Sequence, residues 1–285
     1  MQYYDRKSGT VEEAQEFQQG SLHFLYDTVF GRILLKCAVA RPWLSKLYGL
    51  YQKSGLSKKD IKPFIEKNNI DVSAWDVNSF RCFNDFFTRK KDIGADLSDP
   101  NALLSIADSK IRIFPITEDL VLNVKRSRYT VGEILGDEAL AEDFRGGTCI
   151  VFRLSVDDYH RYQYIDKGVA LSHKKIKGML HTVRAISEKY NVFSRNAREV
   201  HILNTESLGK VAQIEVGALF VGKIVNHPVA SFEKMQEKGY FEYGGSTVVV
   251  LLNKEIQFDP DIAEMNAKDI EIKVHAGERI GTICV

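Results

Sequence analysis

The stretch Gly244-Gly245-Ser246-Thr247-Val248-Val249-Val250-Leu251-Leu252 joins a glycine pair and two hydroxyl residues to an uninterrupted apolar run. The valines and leucines of this run predict a strand that is buried on both faces. Glycine reaches backbone conformations that are closed to other residues, so the pair predicts a sharp turn or a strained segment just before the strand. The simplest interpretation is a hairpin or bulge with small residues at the turn.

A hydroxyl group directly after a deformable glycine also permits a second interpretation, in which the chain cuts itself. Ser246 Oγ would attack the carbonyl carbon of Gly245 and convert the peptide bond into an ester, which would then break. The products would be residues 1–245 and residues 246–285. These few residues do not choose between a turn and a cleavage site, so the decision depends on the rest of the sequence.

The composition is that of an ordinary folded protein, with 285 residues, a net charge of +1 and 27% charged residues. A net charge this small gives no global attraction to nucleic acid, so we expect no nucleic-acid partner. The cysteines form no paired motif and no histidine spacing suggests a metal ion, so we predict no metal site. The histidines that we expect to be structural or surface residues are His23, His173, His201, His227 and His275.

Residues 1–97 are predicted to form a helical, membrane-associating region. Thr10 and Glu13 have the spacing of a capping box, and apolar residues recur at helical spacing in 22–51, with a break at Pro42. Residues 28–59 contain seven basic residues and no acidic one. A basic amphipathic segment with aromatic residues is typical of helices that lie on an anionic membrane surface. The alternative is a solvated basic face of an ordinary helical subdomain.

Residues 98–285 are predicted to form a β-rich body. A stripe of phenylalanines at 80–87 comes just before it and predicts a short helix that packs in the core. Short β-rich runs then follow at small intervals, which favours an antiparallel barrel or sandwich and an α+β fold class for the whole chain. The predicted strands are 103–107, 111–116, 120–124, 148–154, 200–204, 211–216, 219–225, 247–252 and 270–274, with a helical insert at 131–144.

Two polar positions after apolar runs are candidates for chemistry together with Ser246. Asp108 follows one run, and Asp158-Tyr159-His160-Arg161 follows another. Taken alone, the aspartate is typical of a turn and the second group of a solvated loop. An aspartate, a histidine and a serine can also form a relay, in which the histidine activates the hydroxyl and the aspartate orients the histidine.

Five segments occur along the chain in this order: Phe83-Asn84-Asp85-Phe86-Phe87-Thr88-Arg89, Ile106-Ala107-Asp108-Ser109, Asp158-Tyr159-His160-Arg161, Val216-Gly217-Ala218 and Gly245-Ser246-Thr247. They match, in the same order, the Phe-Phe-x-Arg, Pro-Ala-Asp-Gly, Asp-Tyr-His-Arg, Val-Gly-Ala and Gly-Ser-Thr motifs of the phosphatidylserine decarboxylases, a family of self-processing, pyruvoyl-dependent lyases. The chain resembles this family from end to end.

The resemblance implies a proenzyme that cuts itself between Gly245 and Ser246 into a β chain (1–245) and an α chain (246–285). Ser246 would become a covalent pyruvoyl group, the cofactor, which forms a Schiff base with phosphatidylserine and releases CO2 to give phosphatidylethanolamine. It implies Asp108, His160 and Ser246 as catalytic residues. Asp158 and Tyr159 would support them.

The resemblance also implies where the protein works and what it binds. Its partners would be phosphatidylserine in the membrane and its own two cleaved chains, and a homodimer is compatible with the family. We expect a peripheral protein on the cytoplasmic side of the cell membrane.

Two departures from the family pattern affect the proposed site. The family's His-Arg-x-His sequence ends here in Gln163, and glutamine cannot accept a proton at neutral pH. Either His160 carries out both proton transfers or another histidine takes part, and our candidate stand-in is His181. The second departure is Ile106 and Ser109 in place of the proline and glycine around the aspartate.

Two other functions remain open from the sequence. One is a pyruvoyl decarboxylase that acts on a soluble amino acid derivative. The other is a non-catalytic, unprocessed membrane-binding relative, inactive because Gln163 prevents maturation. A denaturing gel separates the enzyme from the relative, because only a processed protein gives two fragments.

Overall fold

The computed structural model describes residues 2–13, 28, 42–124, 127–181, 192–218, 223–243 and 246–284. Within these residues the chain is α+β, with much more sheet than helix, so the predicted fold class is confirmed at that level. The parts of the predicted helical region at 14–27 and 29–41 lie outside the described residues. The glycine pair at 244–245 does so too.

The α-helices of the described residues are short. Pro42 begins the first one, where its missing N–H costs nothing. Thr130 and Glu133 form a capping box at the start of the predicted helical insert, which is confirmed. The helices are α1 (Pro42–Gln52), α2 (Ile61–Asn68), α3 (Phe83–Phe87), α4 (Val131–Leu135), α5 (Glu138–Ala141), α6 (Val192–Arg195) and α7 (Pro260–Ala267), with 3-10 turns at Gly55–Asp60, Val77–Ser79 and Glu142–Phe144.

The strands agree with most of those predicted from the sequence. They are β1 (Gln2–Asp5), β2 (Thr10–Glu13), β3 (Ala102–Leu104), β4 (Ser109–Pro115), β5 (Val121–Val124), β6 (Ser127–Thr130), β7 (Thr148–Leu154), β8 (Arg161–Gln163), β9 (Gly168–Ile176), β10 (Arg198–Thr205), β11 (Gly209–Val216), β12 (Ile224–Asn226), β13 (Ser231–Phe232), β14 (Glu237–Phe241), β15 (Ser246–Leu252), β16 (Ile256–Phe258), β17 (Glu271–Val274) and β18 (Arg279–Ile283).

The apolar strand β15 lies near the middle of a ten-stranded sheet, with strand order β13-β9-β10-β11-β15-β7-β4-β17-β1-β2. All of its residues are buried. Because side chains alternate along a strand, Val248 and Val250 pack into one hydrophobic core, and Val249 and Leu251 pack into the core on the opposite face. The predicted strand buried on both faces is therefore confirmed.

The helical prediction at the extreme N-terminus is wrong. Thr10 and Glu13 belong to β2, which forms a hairpin with β1, and β1 pairs in parallel with β17. Arg6, in the turn of the hairpin, binds Asp261 at 2.7 Å and Glu278 at 2.8 Å. These pairings with the C-terminal part of the chain outweigh the local capping signal. A helical membrane-facing region over residues 1–97 is therefore not supported.

The body is an open sheet with smaller sheets packed on it. Of the two arrangements predicted, barrel or sandwich, the barrel is wrong for the residues that the structure describes. β13 and β2 form the two edges of the large sheet, and β12-β14-β8 and β16-β18-β3 form separate three-stranded sheets. The predicted core role of the phenylalanine stripe is confirmed, because Phe83, Phe86 and Phe87 of α3 are buried. Among the described residues, no helix has the length and apolar character needed to span a membrane.

Candidate active site

Ser246 lies at the first position of β15. It pairs with Leu154, the last residue of β7, and its side chain is fully buried. The chain continues from β7 directly into the Asp-Tyr-His-Arg motif, so the register of one strand pair brings the serine close to the loop that carries this motif. Val248 and Val250 fill one core and Val249 and Leu251 fill the other, so a slip of one residue would exchange the side chains that each core receives.

The loop after β7 is closed by Asp158. Its carboxylate accepts a hydrogen bond of 2.7 Å from the Ser155 N–H, and Lys110 Nζ lies 3.6 Å away. Burial raises the pKa of Asp158 to about 6. The next residue, Tyr159, accepts a hydrogen bond of 3.0 Å from the Lys91 N–H. Asp158 and Tyr159 therefore shape the loop and attach it to the segment after α3.

His160 is fully buried and its ring stacks on Phe87, with 4.1 Å between the ring centroids. Its Nε2 lies 2.9 Å from the Ser155 carbonyl oxygen. A carbonyl only accepts, so we assign the proton to Nε2 and leave Nδ1 as an acceptor. Nδ1 is buried and makes no hydrogen bond to the described residues. Burial lowers the pKa of His160 to about 3, so this imidazole is neutral and has one unprotonated nitrogen available.

Arg161 joins the other motifs to this loop. Its guanidinium donates to the Thr88 carbonyl oxygen at the end of α3, at 2.6 Å, and to Glu237 of β14, also at 2.6 Å. The Phe241 N–H of β14 donates to the His160 carbonyl oxygen at 2.9 Å. These bonds hold the end of β14, which precedes Ser246 in the chain, beside His160.

Asp108 lies between β3 and β4 and has three cationic or N–H partners. It accepts hydrogen bonds from Lys91 Nζ at 2.7 Å and the Ala276 N–H at 2.9 Å, and His275 Nδ1 lies 3.9 Å from its carboxylate. Burial alone would raise the pKa of Asp108, but these partners lower it to about 2. Asp108 in turn raises the pKa of His275.

The pairing of Asp108 with His275 was missed by the sequence analysis, which assigned His275 to the structural or surface histidines. No local spacing indicates it. The signal is topological, because β17 pairs with β4 and Val274 lies opposite Ser109. The residues that follow β17 therefore come next to the residue that precedes β4. The described contacts bring Asp108 to this histidine, whereas His160 contacts Phe87 and Ser155.

A cleft of about 730 Å³ lies beside Asp108, Asp158 and Tyr159, and its lining does not include His160 or Ser246. It is lined by the end of α2, the segment after α3 and the loops after β7 and β17. Both signs of charge are present in its lining, which suits a zwitterionic ligand. The lining residues that matter here are Asp108, Asp158, Tyr159, Lys91, Lys273 and His275.

Gln163 replaces the family's second histidine in β8. Its side chain is fully buried, and neither its amide oxygen nor its amide nitrogen makes a hydrogen bond to the described residues. Its main chain is held, because its N–H donates to the Ile106 carbonyl oxygen at 2.9 Å and its carbonyl oxygen accepts from Gln213 Nε2 at 2.9 Å. The substitution therefore leaves a polar side chain unsatisfied inside a well-ordered strand.

The backbone around Asp108 accommodates the second departure, Ile106 and Ser109 in place of the family's proline and glycine. Ser109 is not among the residues with positive φ, so this position does not require the family's glycine. Its hydroxyl and that of Ser105 both donate to the Ala107 carbonyl oxygen, at 3.3 and 2.9 Å. The carboxylate of Asp108 thus stays on an ordered, hydrogen-bonded turn.

His181, the predicted stand-in base, is attached to the Val-Gly-Ala segment. Asn196 accepts from the His181 N–H at 3.1 Å and donates to the carbonyl oxygens of His181 and Gly217 at 2.8 and 2.7 Å. Burial lowers the pKa of His181. A neutral imidazole can act as a base, and the role of His181 as a stand-in base stays a prediction.

Comparison with known proteins agrees with the motifs. A family model described as phosphatidylserine decarboxylase matches residues 83–282. "Phosphatidylserine decarboxylase proenzyme 2" of Clostridium acetobutylicum is 45% identical over 98% of this chain and 97% of its own length. "Phosphatidylserine decarboxylase proenzyme" of Clostridium perfringens is 37% identical over 98% of this chain and 98% of its own length. The protein of that name from Fusobacterium nucleatum is 36% identical over 99% of this chain and 97% of its own length. The chain therefore belongs to the phosphatidylserine decarboxylase family.

Proposed function

We propose that this chain is a self-processing phosphatidylserine decarboxylase, which converts phosphatidylserine to phosphatidylethanolamine and CO2 in phospholipid biosynthesis. The observation that carries the proposal is the 45% identity to a decarboxylase proenzyme over nearly the whole chain. The position of Ser246 opposite Leu154, next to the loop of His160, supports it. Cleavage would separate a β chain of residues 1–245 from an α chain of residues 246–285.

The proposed roles follow from the protonation states of the residues. Ser246 is the nucleophile of self-cleavage, and His160 Nδ1 accepts its proton, because this nitrogen is unprotonated and has no described hydrogen bond. Asp108 is a permanent anion beside the cleft, since its pKa is about 2. Because Gln163 cannot act as a base, we assign both proton transfers to His160, with His181 as the alternative for the first transfer.

The residues around Ser246 fit a pyruvoyl group. Its position is fully buried, which protects a reactive carbonyl from water, and a neutral histidine belongs to the neighbouring loop. When formed, the group supplies an electron-withdrawing carbonyl that stabilises the charge left by departing CO2. The protein has to bind the headgroup, exclude water and hold one exchangeable proton. We assign headgroup binding to the cleft, whose lysines and carboxylates match the charges of a phosphoserine.

We also propose peripheral attachment to the cytoplasmic side of the cell membrane. Three leucines of α1 and the following turn are exposed, Leu47 at 56%, Leu50 at 67% and Leu56 at 73%. Lys53 and Lys58 are close to them in the sequence, and apolar residues combined with basic ones favour binding to anionic lipid. The membrane-associating part would lie within residues 1–97 and the catalytic body within 98–285, with β1 and β2 joined to the sheet of the body. Assembly as a homodimer stays a prediction.

The proposal is tested with Ser246→Ala and Thr247→Ala, two variants that each remove one neighbouring hydroxyl. On a denaturing gel, the wild-type chain of 32.3 kDa should give fragments of about 28 and 4.5 kDa, in proportion to chain length. Thr247→Ala should also be cleaved. Ser246→Ala should stay intact and release no CO2 from phosphatidylserine vesicles. An intact wild-type chain that still decarboxylates the lipid would contradict the proposal.

A further inference from the structure

A group of histidine and glutamate side chains lies away from the cleft, on β9, β10 and β11. The sheet register places His173 directly opposite His201, and Glu199 directly opposite Glu215. Glu199 and His201 are two residues apart on β10, so their side chains emerge on the same face of the sheet. Cross-strand pairing therefore collects two imidazoles and two carboxylates from three strands on one face.

The distances within this group match those around a metal ion. His173 Nε2 lies 3.0 Å from Glu199 Oε2, and His201 Nε2 lies 3.5 Å from Glu215 Oε2 and 3.9 Å from Glu199 Oε2. His173, Glu199 and His201 each offer one ligand atom, and these three atoms all lie within 4.8 Å of one another. Ligand atoms at about 2.0–2.1 Å from a tetrahedral Zn²⁺ lie about 3.3 Å from one another. An ion between them requires only small side-chain movements.

His201 provides a second, independent observation. Its Nε2 is buried and makes no hydrogen bond to the described residues, although two carboxylates face it. Burial, with the nearby charge of Lys238, lowers the pKa of His201, so the imidazole is in the neutral form that binds metals. The ring of His173 stacks on it at 4.2 Å, and the His173 side chain is 40% exposed, which leaves a path from solvent.

Neighbouring residues orient the carboxylates in the manner of a metal site. Asn226 Nδ2 donates to Glu199 Oε2 at 3.0 Å and to Glu215 Oε2 at 3.1 Å, the same oxygen atoms that face the histidines. Lys238 Nζ donates to the other oxygen of Glu215 at 2.7 Å and to Asn226 Oδ1 at 2.9 Å. Such outer partners fix ligand orientation around bound metals.

We propose that His173, Glu199 and His201, with Glu215 as the fourth donor, form a structural binding site for Zn²⁺ or a similar divalent transition-metal ion. Imidazole ligands favour zinc and its neighbours over Mg²⁺ and Ca²⁺, which prefer oxygen ligands alone. The ion would connect β9, β10 and β11. The site is independent of the proposed decarboxylation, and it revises the expectation of no metal, because the two histidines are far apart in the sequence and meet only through strand pairing.

The positive charge of Lys175 opposes metal binding, and its removal separates a loss of ligands from a loss of folding. Lys175 Nζ lies 2.8 Å from Glu199 Oε1, and its side chain is 67% exposed. Its positive charge competes with the metal ion for this carboxylate. Removal of this charge should tighten binding, whereas removal of a ligand should weaken it. A general loss of folding would not produce opposite effects from two neighbouring positions.

The test is calorimetric titration of Zn²⁺ into the full-length protein after treatment with a chelator. We expect one Zn²⁺ per chain. His173→Gln and His201→Gln should each weaken the binding by about 10- to 100-fold. Lys175→Gln should bind about two- to fivefold more tightly, the range for one exposed charge pair. His227→Gln is the matched control, because His227 pairs instead with Glu237 and is similarly exposed. It should bind as the wild type does.

A thermal-unfolding measurement is independent of the calorimetry. Zn²⁺ should raise the Tm of the wild-type protein and of His227→Gln, and should not raise that of His201→Gln, whose folding is checked by circular dichroism. Absence of Zn²⁺ binding by the wild-type protein would overturn the proposal and leave a hydrogen-bonded polar cluster. Equal binding by wild type and His173→Gln, or equal weakening by His227→Gln, would overturn it as well.

Discussion

At the scale of single residues, burial of His160 makes stability depend on pH. The pKa of His160 is about 3 in the folded protein and about 6.5 in an unfolded chain, because burial disfavours the charged form. Between these values the unfolded state binds more protons. Stability is therefore retained above pH 6.5, and the contribution of His160 is lost as the pH falls below it, by at most about 1.4 kcal/mol per pH unit.

The measurement is urea unfolding of Ser246→Ala, which should remain a single chain, with and without His160→Asn. Between pH 6 and pH 4.5 the free energy of unfolding should fall more steeply when His160 is present. Asp158 is present in both proteins, so its contribution to the pH dependence cancels in the comparison. Its raised pKa would otherwise make stability rise as the pH falls. Equal slopes in the two proteins would mean that His160 becomes charged without cost in the folded state.

The buried environment of Gln163 leads to a prediction about the rate of self-cleavage. Both polar atoms of its buried amide lack a hydrogen bond to the described residues. Gln163→His should accelerate self-cleavage, because it restores a base at the family position. A time course of fragment formation after cell-free synthesis measures the rate. Gln163→Met is the control, since it removes the unsatisfied amide without adding a base. Equal acceleration by both variants would assign the effect to packing.

Site residues that belong to a contiguous motif could be predicted from the sequence, whereas those brought together by strand pairing could not. Ser246, His160 and Asp108 were found because each belongs to a contiguous motif. His275 lies beside Asp108 only because β17 pairs with β4, and His201 meets His173 only through the pairing of β9 with β10. The sequence shows the strands but not which strands are neighbours, so side chains brought together by pairing were assigned to the surface.

At the scale of secondary-structure elements, α3 supports the active site. Phe87 stacks on His160, and its ring centroid lies 5.2 Å from that of Tyr243, just before the glycine pair. Phe87→Ala should destabilise the protein by about 3–5 kcal/mol, the usual cost of such a cavity, and slow self-cleavage. Phe80→Ala is the control, because Phe80 contacts the same cluster but is half-buried.

The measurements for α3 are urea unfolding in the uncleaved Ser246→Ala background and the rate of fragment formation in the otherwise wild-type chain. Phe80→Ala should lose less stability and retain more of the cleavage rate. If the two alanine variants cleave equally slowly, the stacking on His160 has no specific role and only the stability of the cluster matters.

The elements also show which sequence signals are sufficient on their own. β15 was predictable because an apolar run of β-branched residues is buried whatever its neighbours are. The signal at Thr10 and Glu13 was insufficient, since β1 pairs with β17 at the other end of the chain. A capping box contributes about 1 kcal/mol, which hairpin and sheet hydrogen bonds together can exceed. Local signals therefore failed where a distant strand competes for the same segment.

At the scale of the whole molecule, the position of β15 explains how a cut chain can remain one protein. β15 begins at the proposed cleavage point and lies between β11 and β7, both from the proposed β chain. β17 pairs with β4 and β1, and β18 pairs with β3. The proposed α chain thus contributes strands to the interior of the sheets, and the bonds that hold it there do not include the peptide bond that would break.

The exposed leucines of α1 give a prediction for membrane binding. Leu47 and Leu50 are one helical turn apart, so they lie on the same face. Insertion of a leucine side chain into a lipid surface contributes about 1.5–3 kcal/mol, so Leu47→Glu/Leu50→Glu should reduce binding to phosphatidylserine vesicles at least about tenfold, measured by sedimentation. Leu171→Glu, at an equally exposed leucine of β9, is the control and should bind normally. Self-cleavage should continue in all of these variants, because the substitutions leave Ser246 and the loop of His160 unchanged. Unchanged vesicle binding by the double variant would show that α1 is not the attachment surface, and the basic residues before it would then have to bind the lipid alone.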